Sequence, residues 1–176
     1  ELRNFQHSNG PGGFFGLLIG DALGVPYEFY EAEKLPPYEK IERIPPAGFR
    51  KTYENVAAGT WSDDGAQALC LFQSLLDQNG FCLEDFSDRV LSWYEDGVWA
   101  VGGEVFDVGI QTAYALRGYK NGLLPEECGM LNPDGKGNGA LMRVLPLVLW
   151  HSVHGSPDKE QRTKELVEDA HRQCLI

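Results

Sequence analysis

Apolar residues recur at spacings of three and four along most of the chain, and strict alternation of apolar with polar residues is nearly absent. One face of a helix repeats at that spacing, because about 3.6 residues complete a turn. The pattern predicts an all-α fold with helices over 11–24, 64–78, 83–96, 107–120, 139–151 and 158–175, in one compact domain spanning 1–176. In 64–78, Leu69, Phe72, Leu75 and Leu76 form the expected buried stripe, and Cys70 is expected to pack as a small hydrophobe. Gly16, Gly20 and Gly24 fall four apart on the first helix, which predicts that another helix packs closely on that face. Their spacing matches neither phosphate-binding glycine pattern. Between the first two helices, Pro36, Pro37, Pro45, Pro46 and Gly48 break any period, so 35–59 is expected to be a long loop of the kind that lines or covers a site. In the last helix Leu166, Val167, Ala170 and Cys174 keep helical spacing, and no glycine, proline or polar cap follows before Ile176. The chain is therefore expected to be cut inside an element.

Composition narrows the partners. With 43% hydrophobic residues in 176, the chain is able to bury a substantial core. Twenty-six acidic residues against 15 basic ones give a formal charge of −11, which repels phosphate backbones and anionic lipid. Neither nucleic acid nor a membrane is expected as a partner. A small anionic ligand would need local donors or a cation to overcome that field. Cys70, Cys82, Cys128 and Cys174 form no C-x-x-C pair and have no histidine at zinc spacing, so they are expected to be reduced thiols in a cytoplasmic protein. No signal sequence is visible, and the apolar run Phe14 to Ile19 is far too short to span a bilayer. His7, His151, His154 and His171 accompany no nucleophile motif and are expected at the surface or at helix ends.

Three clusters carry candidate chemistry. In Thr60-Trp61-Ser62-Asp63-Asp64-Gly65, just before an apolar helix, either Ser62 or Asp63 suits an N-cap. Two adjacent carboxylates beside a hydroxyl exceed what a cap needs, and their hard oxygens suit magnesium or manganese rather than zinc. Cap and cation site both remain open on spacing alone. Gly135-Lys136-Gly137-Asn138-Gly139 leads into Ala140-Leu141-Met142-Arg143, and reads as a tight turn with asparagine capping the next helix or as a backbone-amide anion site. In Gly20-Asp21-Ala22-Leu23-Gly24-Val25-Pro26-Tyr27-Glu28-Phe29 a carboxylate, Glu28, follows a helix end on its exit loop.

Together with Phe106-Asp107-Val108-Gly109, these clusters run in the order G-D-A-L-G, P-x-E-F, [ST]-D-D, F-D-x-G, G-N-G-x-x-M-R, and the chain resembles the ADP-ribosylglycohydrolase family over nearly its whole length. The resemblance implies an orthogonal helical fold holding two Mg2+ or Mn2+ ions, with Ser62, Asp63 and Asp64 as metal ligands. It implies Glu28 beside the scissile ribose, Gly137, Asn138 and Gly139 in the loop that holds ADP-ribose, and Met142 and Arg143 at that loop's end. A structural ion pair is the plain alternative for Arg143. The implied reaction is hydrolysis of ADP-ribose from an ADP-ribosylated protein, commonly at an arginine guanidinium, or from an ADP-ribose-containing small molecule. Water attacks the anomeric carbon, with Asp63 or Glu28 taking its proton. A catalytically inactive ADP-ribose-binding or structural relative is the alternative. Two positions depart from the family: Gly65 stands where many members carry threonine, and the D-x-D-[ST] motif that supplies further ligands has no counterpart in 1–176. An octahedral cation takes about six oxygens, so Ser62 to Asp64 would form a partial ligand set, and 1–176 alone is expected to hydrolyse poorly.

Overall fold

The computed structural model describes residues 10–130 and 137–176. Among these residues the fold is helical and contains no strand. The helices are α1 Gly10–Gly24, α2 Asp63–Gln78, α3 Leu83–Asp96, α4 Ile110–Lys120, α5 Gly139–Met142, α6 Leu145–His154 and α7 Lys159–Gln173. None is long and apolar enough to cross a membrane.

Two predicted helices change shape. Asp107 takes a left-handed φ of 53°, so the segment expected to be helical from 107 does not wind until Ile110. The segment 139–151 breaks between α5 and α6, because Pro146 has no N–H to give and its ring would collide with the Met142 carbonyl of a continuous helix. α2 stops at Asn79, whose left-handed backbone (φ 53°) turns its N–H onto the Leu75 carbonyl.

α2 is the central helix and packs against α3, α6 and α1. Its deepest side is Gln67, Cys70, Leu71, Ser74 and Leu75, all fully buried, rather than the expected Leu69-Phe72-Leu75-Leu76 stripe. Three packed neighbours shift burial around the helix, which leaves Leu69 and Phe72 half-covered toward α1 and Leu76 exposed. Phe86, Val90 and Trp93 of α3, Leu116 of α4 and Leu147 of α6 complete the core, with Cys70 among them as expected.

Among the described residues nothing packs on the glycine stripe of α1: none lies within 4 Å of where side chains at Gly16, Gly20 and Gly24 would begin. α1 meets α2 through another side, where Phe14 lies against Phe72 with ring centres 4.8 Å apart and Asp21 reaches the start of α2.

The segment between α1 and α2 is an ordered excursion, tied back onto the exit of α1. Tyr27 donates to the Glu42 carbonyl at 2.9 Å, Thr52 N donates to the Pro26 carbonyl at 3.1 Å, and the Thr52 hydroxyl donates to the Glu28 carbonyl at 2.5 Å. Phe49 packs between Tyr27 and Tyr30.

His151 lies in the last turn of α6, a helix end as expected, but not at the surface. It is buried, and its Nε2 pairs with Asp169 Oδ2 at 2.9 Å, joining α6 to α7. His154 stacks on Trp150, and His7 lies outside the described residues.

Arg143, in the break between α5 and α6, is fully buried. It forms no ion pair among the described residues. Nε donates to Gln173 Oε1 at 2.8 Å, Nη1 to Gln67 Oε1 at 2.6 Å, and Nη2 to the carbonyls of Gln173 and Ile176. The guanidinium also lies 5.3 Å from the Phe86 ring centre. Burial lowers its pKa to about 10, so it stays charged near neutrality. One side chain thus holds α2, α7 and the loop after Met142 in register. Arg143→Lys keeps the charge but not the planar fork, leaving buried amide oxygens without donors. It is expected to lower stability by roughly 2–4 kcal/mol, read as a shift in urea midpoint at constant slope.

Candidate active site

The start of α2 is built by two side chains. Ser62 is its N-cap, accepting from Asp64 N at 3.3 Å, so the cap expected at 62 or 63 falls on Ser62. Asp21, on the last turns of α1, accepts from Ser62 N at 2.9 and 3.1 Å, from the Ser62 hydroxyl at 2.9 Å and from Gly65 N at 2.7 Å. A side chain at 65 would begin 2.9 Å from Asp21 Oδ2 and 2.9 Å from the Trp61 side chain, so glycine is what allows this approach.

Asp63 and Asp64 therefore stand on a turn anchored on both sides, within a concentration of acid. Burial, followed by the charges of Asp64, Asp107 and Asp21, pushes Asp63 up to about 8. Burial and the charges of Asp21 and Asp107 push Asp64 up to about 6. Glu28 is raised to about 7 by burial first and then by Asp107. Asp21 is also raised by burial, in spite of the bonds from Ser62 and Gly65 that favour its charge. The cause is common to all four: carboxylates lose hydration while facing one another, which disfavours the charged form. No ion pair among the described residues involves these acids. Glu28 Oε2 is a buried oxygen with no hydrogen-bond partner.

The loops on either side are bent to bring these groups together. Phe29, directly after Glu28, and Asp107 both have left-handed backbones, with φ of 61° and 53°. Such a conformation is costly for residues with side chains and persists only where surrounding structure holds it. The ring of Tyr53 is part of that structure, with its centre 5.0 Å from Phe106 and 6.4 Å from Phe29. Burial and the neighbouring carboxyls of Asp107 and Glu28 raise the Tyr53 phenol well above its ordinary pKa, so it remains a proton donor. Trp99, also left-handed, receives the Trp61 indole N–H on its carbonyl at 2.9 Å, pinning loop 97–109 to the turn before Ser62.

Beside the acids lies an open cleft of about 750 Å3. Asp63, Gly109, Gln111, Thr112, Gly137, Asn138, Gly139 and Met142 all contribute to its lining. Gln111 Oε1 lies close over Gly137, so a side chain there would push the end of the Gln111 side chain aside. Asn138 does not cap α5 with its side chain; instead its carbonyl accepts from Leu141 N at 2.7 Å. Gly135 and Lys136 lie outside the described residues.

The structure thus brings Asp63 together with Gly137, Asn138, Gly139 and Met142 at one cleft, and brings Glu28, Asp63 and Asp64 into one electrostatic cluster. Arg143 faces the core instead. Among the described residues no three Asp, Glu, His or Cys side chains converge tightly enough to hold a metal ion. Asp21, Tyr53 and Asp107 were not picked out as site residues from sequence. Asp107 had a signal in its F-D-x-G context; Tyr53 had none, because its role depends on how the long loop folds back.

A model of the ADP-ribosylglycohydrolase family matches residues 5–176. An ADP-ribosylarginine hydrolase of Pseudomonas putida is 32% identical over 148 residues, covering 82% of this chain and 37% of the relative. One of Serratia proteamaculans is 33% identical over 140 residues, 79% of this chain and 36% of the relative. The ADP-ribosyl-[dinitrogen reductase] glycohydrolase of Rhodospirillum rubrum is 27% identical, covering 81% of this chain and 45% of the relative. The chain therefore spans less than half the length of each of these relatives. With a family match running through the helical fold, the acid cluster and the glycine loop, the chain belongs to the ADP-ribosylglycohydrolase family.

Proposed function

We propose that the protein removes ADP-ribose from ADP-ribosylated arginine in a protein, with the help of Mg2+ or Mn2+. The observation that carries this is the shared position of Asp63, which belongs both to the carboxylate cluster and to the cleft lined by Gly137, Asn138 and Gly139. Two relatives named for ADP-ribosylarginine hydrolysis support the substrate. Four free cysteines support the expected cytoplasmic setting.

The donor chemistry fits a hard divalent cation. Several carboxylates lose water together with no ion-pair partner among the described residues, and Glu28 keeps an unpartnered buried oxygen. Ser62, Asp63 and Asp64 would hold the cation, with further oxygens from water or other parts of the protein. Bound there, the cation would supply Lewis-acid and template chemistry. The cleft would orient the substrate, with Gly137 to Gly139 and Gln111 against the ADP-ribose and Asp63 beside the bond that breaks. Glu28 would accept the proton of the attacking water, its carboxyl flanked by Tyr53 and Asp107. The bond from C1 of the ribose to the guanidinium nitrogen breaks, the water oxygen takes its place, and the proton returns to the departing guanidine.

In the full-length protein, incubated with arginine-ADP-ribosylated protein and magnesium, released ADP-ribose is the expected product. Glu28→Gln is expected to slow release about a hundredfold or more with little change in thermal stability. Normal release by this variant would remove Glu28 from the chemistry, and no release by the unaltered protein would favour an inactive ADP-ribose binder.

Asp63→Asn replaces a carboxyl whose ionisation the cluster disfavours with a neutral amide. In chelator it is expected to raise Tm by about 2–4 °C, the change that ~1 kcal/mol makes in a chain of this size. Adding magnesium is expected to raise the Tm of the unaltered protein, and to leave Tm unmoved when Asp63 and Asp64 are both asparagine. An equal magnesium response from the double variant would sink the ligand assignment.

A further inference from the structure

Ser62, Asp63 and Asp64 are consecutive, and consecutive side chains at a helix start diverge unless the backbone that carries them is fixed. Two backbone amides bracket the two aspartates, those of Ser62 and Gly65, and both donate to one carboxylate from another helix. We propose that Asp21 is a positioning residue, a clamp that sets the turn Ser62–Gly65 so that Ser62, Asp63 and Asp64 present their oxygens to one cation. This deepens, and rests on, the cation-dependent reading given above.

Asp21 is not placed as a ligand itself. Its Oδ1 accepts from Ser62 N and the Ser62 hydroxyl, and its Oδ2 from Ser62 N and Gly65 N, so both oxygens are engaged by the protein. Capping accounts for only part of it: the bond from Gly65 N satisfies a first-turn amide of α2, whereas those from Ser62 N and the Ser62 hydroxyl fix the residue that already caps the helix by accepting from Asp64 N. What Asp21 adds is direction. By accepting the Ser62 hydroxyl hydrogen bond at 2.9 Å it turns the lone pairs of that oxygen away from α1, leaving one beyond the Asp64 amide for a cation. Its second oxygen reaches Gly65 N at 2.7 Å only because residue 65 has no side chain. Outer hydrogen-bond partners of this kind fix ligand orientation, and losing one commonly costs metal affinity about ten- to a hundredfold.

The test is Mn2+ affinity, measured by calorimetry on full-length protein at a temperature where circular dichroism shows every variant folded. Asp21→Asn keeps the shape and loses the charge; Asp21→Glu keeps the charge but displaces the carboxylate by one methylene. Both are expected to bind Mn2+ about tenfold more weakly. Ser62→Ala is expected to cost less affinity in the Asp21→Glu background than in the unaltered protein, because the two act through one contact. Unaltered binding by Asp21→Glu would show that only charge near the cation matters and would overturn the clamp. The same Ser62→Ala loss in both backgrounds would overturn it too. Absence of Mn2+ binding by the unaltered protein would instead bring down the cation reading, and the clamp with it. A fall in Tm with full Mn2+ affinity would leave Asp21 a structural anchor only and refute the proposal.

Discussion

Mutual repulsion among partly buried carboxylates is the constraint around which this structure is arranged. Burial and neighbouring carboxylates, Asp107 among them, raise the proton affinities of Asp21, Glu28, Asp63 and Asp64, and no lysine or arginine among the described residues pairs with any of these acids. A chain optimised only for stability would disperse such charges, since each shift means the folded state disfavours the ionised form. Here they arrive from α1, its exit loop, the start of α2 and the loop before α4. Holding them together takes backbone in costly conformations at Phe29 and Asp107, and a loop folded back far enough to set Tyr53 between them.

The scaffold that withstands this is polar as well as apolar. The core of Leu71, Leu75, Phe86, Trp93, Leu116 and Leu147 fixes α2, α3, α4 and α6 relative to one another. Arg143 then ties α2 to α7 through neutral acceptors, one helical turn along α2 from Asp63 at Gln67. A guanidinium bound to amide oxygens keeps its full charge without a counter-ion in contact, so it adds a positive field behind Asp63 while supporting the loop that ends at Met142. Fold and site thus share a component, which is why Arg143 sits inside the core although it follows directly on a cleft-lining segment.

How much of this was legible in the chain depends on the range of the cause. Helix periods are local, and α2, α3 and α7 began and ended within two residues of where their spacing put them. Adjacency made Ser62 to Asp64 and Gly137 to Gly139 visible as clusters. Burial around α2 was not legible, because it follows from how many helices pack there, and the apolar pattern alone favoured Leu76, which is exposed. The glycine stripe of α1 misled for the same reason: spacing shows which positions share a face, but not whether anything covers it. Tyr53 and Asp21 owe their roles to partners 24 to 53 residues away; Asp21 is marked locally only as part of G-D-A-L-G, and Tyr53 by no local pattern.

Gly65 shows how a departure from a family pattern acquires meaning in context. Taken as a missing hydroxyl, it weakens the comparison with relatives that carry threonine there. In the folded chain the missing group is the Cβ, and its absence leaves room for a carboxylate from α1 and the side chain of Trp61 on the same spot. Trp61 in turn uses its indole to hold the Trp99 carbonyl, so the packing at residue 65 extends to the loop that delivers Asp107. A side chain at 65 would have to displace the Asp21 carboxylate, the Trp61 ring or both, and either displacement loosens the segment on which Asp63 and Asp64 stand. The glycine is therefore better understood together with Asp21 and Trp61, as one solution to presenting two adjacent aspartates from the first turn of a buried helix.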